Sequence, residues 1–396
     1  MGNNKHVVFL GCPGFPYGMA EVQKIILISK CLVLTGNKVT VISNKGHHSR
    51  INYPDLKAHG TYENIEYIYT SGSPFRDENF FSRNLSKIKG FINEILLLRK
   101  RKNKIDFAIL STQSVYAVLF YSFLGKLYGF KPILNYVEFF SGIEKKDSQI
   151  SRRLNDSLYD KFAPLVVDGV LPISEFLIDH LKKISPSKKY LKIPGLTEFE
   201  RYEGIETIHA NDYFLFCGAA NYQDVIHFII DSFTLLKDTS AYLYLVINGD
   251  ESTINEIKNY IAKSAKKDNI KFLTKLTQKE LYTNYQNAMA LLIPLRPNFQ
   301  DIARFPHKFG EYLASGNPVI STNYGEVKKY FTDMENLLIA KEYEVKLFSD
   351  KMQFAIENPS LIKEIGVKGK EVASQIFDYR NKAKEIDTFL NNLNIK

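Results

Sequence analysis

The sequence has no tryptophan and only 3 cysteines, Cys12, Cys31 and Cys217. An odd number without C-x-x-C pairing excludes a disulfide framework and a cysteine zinc site, and it fits a reducing, cytoplasmic setting. The histidines include no i,i+4 pair and no H-E-x-x-H, so neither a catalytic metal nor any other cofactor is expected. The opening MGNNKHVVFLGCPG carries an apolar run of about five residues, too short for a secretory h-region. The uncharged stretch FAILSTQSVYAVLFYSFLG, residues 107–125, is interrupted by STQS. It reads as a buried strand followed by a buried helix, because a span needs about 20 predominantly apolar residues. Low-complexity tracts and nucleic-acid-binding modules are missing too, so no nucleic-acid partner is expected.

What is present is an ordinary globular composition, 45% hydrophobic and 24% charged over 396 residues, long enough for two or three domains. The net charge of +9 is uneven: residues 1–200 carry roughly +10 and residues 201–396 roughly −1, which points the first half at an anionic partner.

Short apolar runs alternate with helical patterns. HVVFLG, a Gly/Pro-rich loop, AEVQKIILISKCLVLTG and NKVTVIS make a strand–loop–helix–strand unit, and IEYIYT, IDFAIL, KPILNYV and VVDGVLPI continue as strands. A second series, from DYFLFCG through AYLYLVING, IKFLT, MALLIPL and PVIST to ENLLIA, starts near residue 212. Strands spaced by helices predict parallel sheets covered on both faces. The expected organisation is an α/β N-terminal domain over 1–200, a second over 201–375, and a terminal helix over 376–396 packing back toward the first. The polar stretch 195–211 forms the joint. The two domains are expected to be doubly wound and Rossmann-like, facing across a cleft, with ligands at the carboxyl ends of strands.

Two segments carry chemistry. In GCPGFPYGMAEVQ, Gly14 and Gly18 lie between a strand and a helix, where backbone can approach a ligand. The pattern is not G-x-G-x-x-G, and no acidic residue closes VTVIS, which disfavours NAD. In RFPHKFGEYLASGNPVIST, residues 304–322, Pro306 opens a helix and Gly316 closes it. Arg304, His307 and Lys308 gather at its N-terminus, where an anion would be held, and Glu311 lies about one and a half turns in.

The order of segments resembles the retaining glycosyltransferases of family 4, of GT-B fold. P-x-K-x-x-E-Y-L-A-S-G-x-P-V-I is similar to their donor-site motif. VVFLGCPGFPYGMAEVQKI, VVDGVLPISEFLIDHL, KIPGLTEF and LTQKELYTNYQNAMALLIPL resemble their other signature segments. The resemblance implies transfer of a sugar from a nucleotide-diphosphate donor, UDP-sugar before GDP-sugar, to a glycan or lipid-linked acceptor hydroxyl in bacterial surface glycan or glycolipid synthesis. It implies that Glu311 binds ribose, that Phe309, Gly310 and Gly218 also line the donor site, and that Arg304 and Lys308 stabilise the leaving diphosphate. Glu138 in LNYVEFF would serve the acceptor or the sugar cation, and Gly14 and Gly18 would face the acceptor. The motif departs from the family at Ala303, where a first Glu is usual, so that role is vacant or filled by Asp301, and at Ala219 and Asp224, where Arg and Lys are usual. Those departures keep two alternatives open: a non-catalytic subunit supporting a partner enzyme, and a nucleotide-sugar epimerase.

A basic amphipathic run, residues 80–104, has Phe81, Leu85, Ile88, Ile92 and Ile95 at helical spacing and ends in RKRKNK. It reads either as a helix with cations at its C-terminus or as a contact with anionic lipid, peripheral on the inner face of the plasma membrane.

Overall fold

The computed structural model describes residues 4–143, 150–205, 213–237 and 240–394. Two compact units divide the chain, Met1–Leu196 with Tyr379–Lys396, and Thr197–Asp378. Residues 206–212 of the polar joint lie outside the described residues.

The first unit contains, in order, β1 (His6–Leu10), α1 (Ala20–Leu34), β2 (Lys38–Ser43), β3 (His59–Tyr62), β4 (Ile65–Tyr69), α2 (Phe80–Lys100), β5 (Phe107–Leu110), α3 (Val115–Tyr128), β6 (Lys131–Tyr136), α4 (Ile150–Val166), β7 (Gly169–Pro172), α5 (Glu175–Ile184) and β8 (Lys189–Tyr190). The sheet order is β3-β4-β2-β1-β5-β6-β7-β8, parallel except where β3 meets β4. Val7, Phe9, Phe107 and Ile109 are fully buried, as strands covered on both faces require. The order reverses between β1 and β5, so the glycine loop after β1 sits at the switch point. There Gly11 has φ +76°, and a Cβ on it would lie 3.0 Å from Thr112 Cβ beyond β5.

The second unit contains β9 (Tyr213–Ala219), α6 (Gln223–Thr234), β10 (Tyr242–Asn248), α7 (Glu251–Lys263), β11 (Ile270–Leu273), α8 (Gln278–Asn287), β12 (Ala290–Ile293), α9 (Phe299–Ala303), α10 (His307–Ala314), β13 (Val319–Thr322), α11 (Val327–Tyr330), β14 (Leu338–Ala340), α12 (Val345–Glu357) and α13 (Pro359–Phe377). Its all-parallel order, β11-β10-β9-β12-β13-β14, reverses between β9 and β12. Helix ends follow local chemistry. Thr277 and Glu280 form a reciprocal capping box on α8, Asn298 caps α9, and Gly316, at φ +83°, stops α10. The last helix, α14 (Tyr379–Asn394), packs on α1 within the first unit, with Ile386 and Leu390 in the core that holds Ile25 and Ile28.

Two readings need correction. Val166 and Val167 precede β7 instead of opening it, because α4 runs through Val166. The helix after β5 is not buried: α3 turns Tyr116, Leu119, Phe123 and Leu127 outward, while Val118 and Leu124 face in. No described helix is long and apolar enough to cross a membrane.

One buried carboxyl makes the first unit pH-sensitive. Glu94 of α2 is 1% exposed and accepts from Asn44 Nδ2 (2.9 Å) and Tyr121 Oη (3.0 Å). Burial outweighs these donors and pushes the carboxyl up to about 7. The folded value lies above the unfolded one, so the folded chain binds more protons between them, and stability falls as pH rises from about 4.5 through 7. Glu94→Gln is expected to remove that slope, gaining roughly 2–3 kcal/mol on the wild type between pH 5 and pH 8. Denaturant midpoints across that range check it, and parallel curves for the two proteins would contradict it.

Candidate functional site

The chemistry of the second unit gathers on segments that follow the carboxyl ends of β9 and β12, the switch point of its sheet. Tyr222 and Asp224 come from the start of α6. Arg296, Asp301 and Arg304 come from the segment around α9. His307, Lys308 and Glu311 come from α10.

Lys308 and Glu311 form a half-buried pair, their side chains 31% and 15% exposed. Lys308 Nζ is 3.5 Å from Glu311 Oε2 and donates to Tyr285 Oη at 3.2 Å. His307 Nε2 is 3.4 Å from Glu311 Oε1. Burial alone would raise the Glu311 carboxyl, but Lys308 and His307 outweigh it and hold it at about 2. Burial would likewise lower the Lys308 ammonium, yet Glu311 and the neighbouring Cys217 raise it above its ordinary value. Both groups are therefore charged at neutral pH. Aromatic rings wall the pair: Tyr202 is 5.1 Å from Tyr282, and Tyr285 is 5.0 Å from Tyr312. The phenol of Tyr202 feels the Glu311 charge, and its Oη is buried without a hydrogen-bond partner. His307 Nδ1 is also buried without one.

Arg304 leads elsewhere. Its Nη1 donates to Tyr222 Oη at 2.7 Å, and its guanidinium stands 5.8 Å from the centre of that ring. Arg296 approaches the same ring, 5.7 Å from its centre. The structure thus brings Lys308 and Glu311 together and ties Arg304 to the start of α6.

Arg296 is the functional-region residue that the sequence reading missed. Its Nε and Nη2 donate to the two oxygens of Asp301 at 2.8 and 2.9 Å, its main-chain N donates to Asp301 Oδ2 at 2.9 Å, and its Nη1 donates to Asp224 at 2.7 Å. Asp301 is buried, and its carboxylate accepts from the main chain and side chain of Arg296 as a clamp on this loop. Asp224 is likewise answered by a cation that comes from another loop, which linear spacing could not reveal. Asp301→Asn keeps the shape and loses the charge, so it is expected to destabilise the chain by about 2 kcal/mol. Urea denaturation checks this, and an unchanged midpoint would mean the clamp carries no stability.

The remaining donor-side residues are mainly packing positions. Phe309 is fully buried, 5.6 Å from Phe305 and 6.1 Å from Phe331, so its side chain serves the core. Gly310 lies where a Cβ would come within 2.2 Å of Thr197 Oγ1, and a Cβ on Gly218 would meet the Phe216 ring at 2.7 Å. These two glycines are needed for close approach, which leaves only main-chain groups for a ligand. Glu138, Gly14 and Gly18 belong to the first unit. Glu138 is half-buried and close enough to act on the Tyr136 phenol. Gly14 has φ +66°, and a Cβ on Gly18 would strike Val22 of α1 at 2.4 Å. Among the described residues no group of three or more His, Cys, Asp or Glu side chains is placed to hold a metal ion.

Comparison with known proteins agrees with this layout. Residues 200–372 match the family model of glycosyl transferases, group 1. No curated protein matches the chain. Among solved structures, a sucrose-phosphate synthase from Thermosynechococcus elongatus superposes with a TM-score of 0.76 at 14% identity, covering 98% of this chain and 99% of its own. A glycosyltransferase from Rickettsia africae gives 0.71 at 15% identity with both chains fully covered. HepE of Anabaena, in complex with UDP-glucose, gives 0.68 at 13% identity, covering 98% and 99%. At such identities the likeness establishes the fold. The chain thus has the GT-B fold, two Rossmann-like units built on largely parallel sheets, and its residues 200–372 are similar to the group 1 glycosyl transferases.

Proposed function

We propose that the protein is a retaining hexosyltransferase of family 4 type, moving a sugar from a nucleotide-diphosphate donor to an acceptor hydroxyl. The observation that carries this reading is the Lys308–Glu311 pair, ionised and flanked by Tyr202 and Tyr285 in the segment that matches the group 1 model. A carboxylate held ionised there is suited to accept hydrogen bonds from ribose hydroxyls. The Lys308 ammonium and the Arg304 guanidinium would stabilise the diphosphate as the glycosidic bond breaks, which is electrostatic catalysis of a charged leaving group. A UDP-sugar is the preferred donor, in keeping with UDP-glucose bound to the HepE neighbour, and a GDP-sugar is the alternative. Glu138 would orient the acceptor, with the loop of Gly14 and Gly18 beside it. The acceptor would be a glycan or a lipid-linked glycan, in cytoplasmic assembly of bacterial surface polysaccharide or glycolipid. The chemistry would require no metal or other cofactor.

The test is transfer itself. Purified protein is incubated with UDP-glucose, UDP-galactose or GDP-mannose and a panel of glycan and lipid-linked acceptors. The anomeric configuration of the product is then read by NMR. An α-linked product from an α-configured donor supports the reading, and a β-linked product overturns retention.

A second reading, a non-catalytic subunit, is favoured by one observation: Ala303 stands where a first Glu is usual, and the nearby Asp301 is held by Arg296. Donor binding without transfer to any acceptor of the panel would favour it. Conversion of the donor sugar without acceptor would favour the epimerase.

A further inference from the structure

The first unit has an apolar surface that its own fold does not use. Only Gly90, Glu94 and Leu98 of the 21 residues in α2 are buried, and none of its first ten is. Yet that half carries Phe81, 82% exposed, with Leu85 and Ile88 one and two turns on. The next helix repeats the pattern. Leu119, Phe123 and Leu127 of α3 are all exposed, at spacings that keep them on one face. In α4, Leu154, Phe162 and Leu165 are exposed as well. The three helices form one layer. Phe91 of α2 stacks near Phe120 of α3 at 5.0 Å, Tyr121 of α3 bonds Glu94 of α2, and Asn155 of α4 accepts from the main-chain N of Val115 in α3.

Charge on this layer has one sign. The carboxylates of the three helices, Glu94, Asp156 and Asp160, are all buried. Lys87, Lys89, Arg99, Lys126, Arg152 and Lys161 are exposed, so every exposed formal charge on α2, α3 and α4 is positive. Long cationic side chains around apolar ones can keep their heads in water while their stems lie along an apolar phase. We propose that the α2–α3–α4 layer is a docking surface for an anionic lipid bilayer, with the apolar side chains seated among the acyl chains and the cations among the headgroups. A second copy of the chain fits poorly, because a two-fold contact would set the same cations against each other. The run RKRKNK contributes less than its composition suggests. Arg101 is half-buried and bonds Glu66 at 3.2 Å, so it belongs to the fold.

The experiment is vesicle sedimentation of the full chain without any donor, which keeps it separate from the catalytic reading. Vesicles of phosphatidylcholine alone are compared with vesicles also containing phosphatidylglycerol. Binding should require phosphatidylglycerol and weaken as salt rises. Phe81→Ser, Leu85→Ser and Phe123→Ser together should lower vesicle affinity by about tenfold or more at unchanged Tm, because the three side chains are exposed and carry no folding load. Lys87→Ser, Lys89→Ser and Arg99→Ser together should weaken it to a similar degree, by about one decade. Three results would overturn the proposal: no sedimentation with anionic vesicles, equal affinity in the apolar triple variant, or a concentration-dependent dimer that the apolar triple variant makes monomeric.

Discussion

Glu311→Ala is expected to weaken binding of a nucleoside diphosphate sugar at least 100-fold while the chain stays folded. Two ribose hydroxyls on a charged acceptor are worth about 1.5–3 kcal/mol each, and 2.7 kcal/mol is already a factor of about 100. The site geometry makes this a demanding expectation, because Glu311 is held by Lys308 and His307 and so presents a fixed, ionised carboxylate. The pH dependence follows from the sign of its shift. Its folded value, about 2, lies below that of a free carboxylate, so its contribution to stability is complete above about pH 4.5 and is lost as pH falls through about 2. Titration of Glu311 itself should therefore add no pH dependence to the affinity difference between wild type and variant from about pH 5.5 to 8.5. Glu311→Gln separates charge from shape: it keeps the volume and part of the hydrogen bonding, and it should lie between the two. Calorimetry on all three proteins, with circular dichroism as the folding control, decides it. Equal affinities in folded proteins would remove Glu311 from the donor site.

Lys308→Ala is expected to lower kcat by about 100-fold, the loss typical of removing one preorganised electrostatic contact to a developing charge. Arg304→Ala is expected to fall by a similar factor of about 100, and the two should differ in KM. Lys308 is bonded to Glu311, so its loss also loosens the ribose carboxylate and should raise KM. Arg304 is bonded to Tyr222 and makes no direct bond to Glu311, so its loss should fall mainly on kcat. Steady-state kinetics with a saturating acceptor separates them. Wild-type turnover in either variant would reduce that cation to a structural partner of its tyrosine.

Much of the layout was legible because it is local. Parallel strands show in the sequence as short apolar runs, and Pro306 and Gly316 bound α10 within it. The pairing of Lys308 with Glu311 follows from helical spacing once that helix is recognised. What escaped the sequence depends on tertiary contact. Arg296 sits in a featureless LRPNF loop, and only the fold brings Asp224, from another strand's loop, within reach of it. Asp301 stands near the position of the usual first Glu, and only the fold shows that its carboxylate accepts from the main chain and side chain of Arg296. The outer face of α3 was misread because an apolar residue in a sequence does not say which neighbour covers it. Its stripe of Tyr116, Leu119, Phe123 and Leu127 looks the same whether a sheet, a bilayer or nothing lies against it. The helix α13 escaped as well: its Gly366 and Gly369 are poor helix formers by propensity, yet they are fixed by close approach to the main chain of Gly316 and Asn336.

The central claim is that the Lys308–Glu311 pair of α10 belongs to the nucleotide-sugar site, and titration calorimetry of UDP-glucose and GDP-mannose into the wild-type chain at neutral pH tests it most directly, with Glu311→Ala titrated alongside. The account predicts saturable binding of at least one donor to the wild type and loss of at least about 100-fold in affinity for the variant. Binding of neither donor to a folded wild-type chain, or equal binding by wild type and variant, would contradict it.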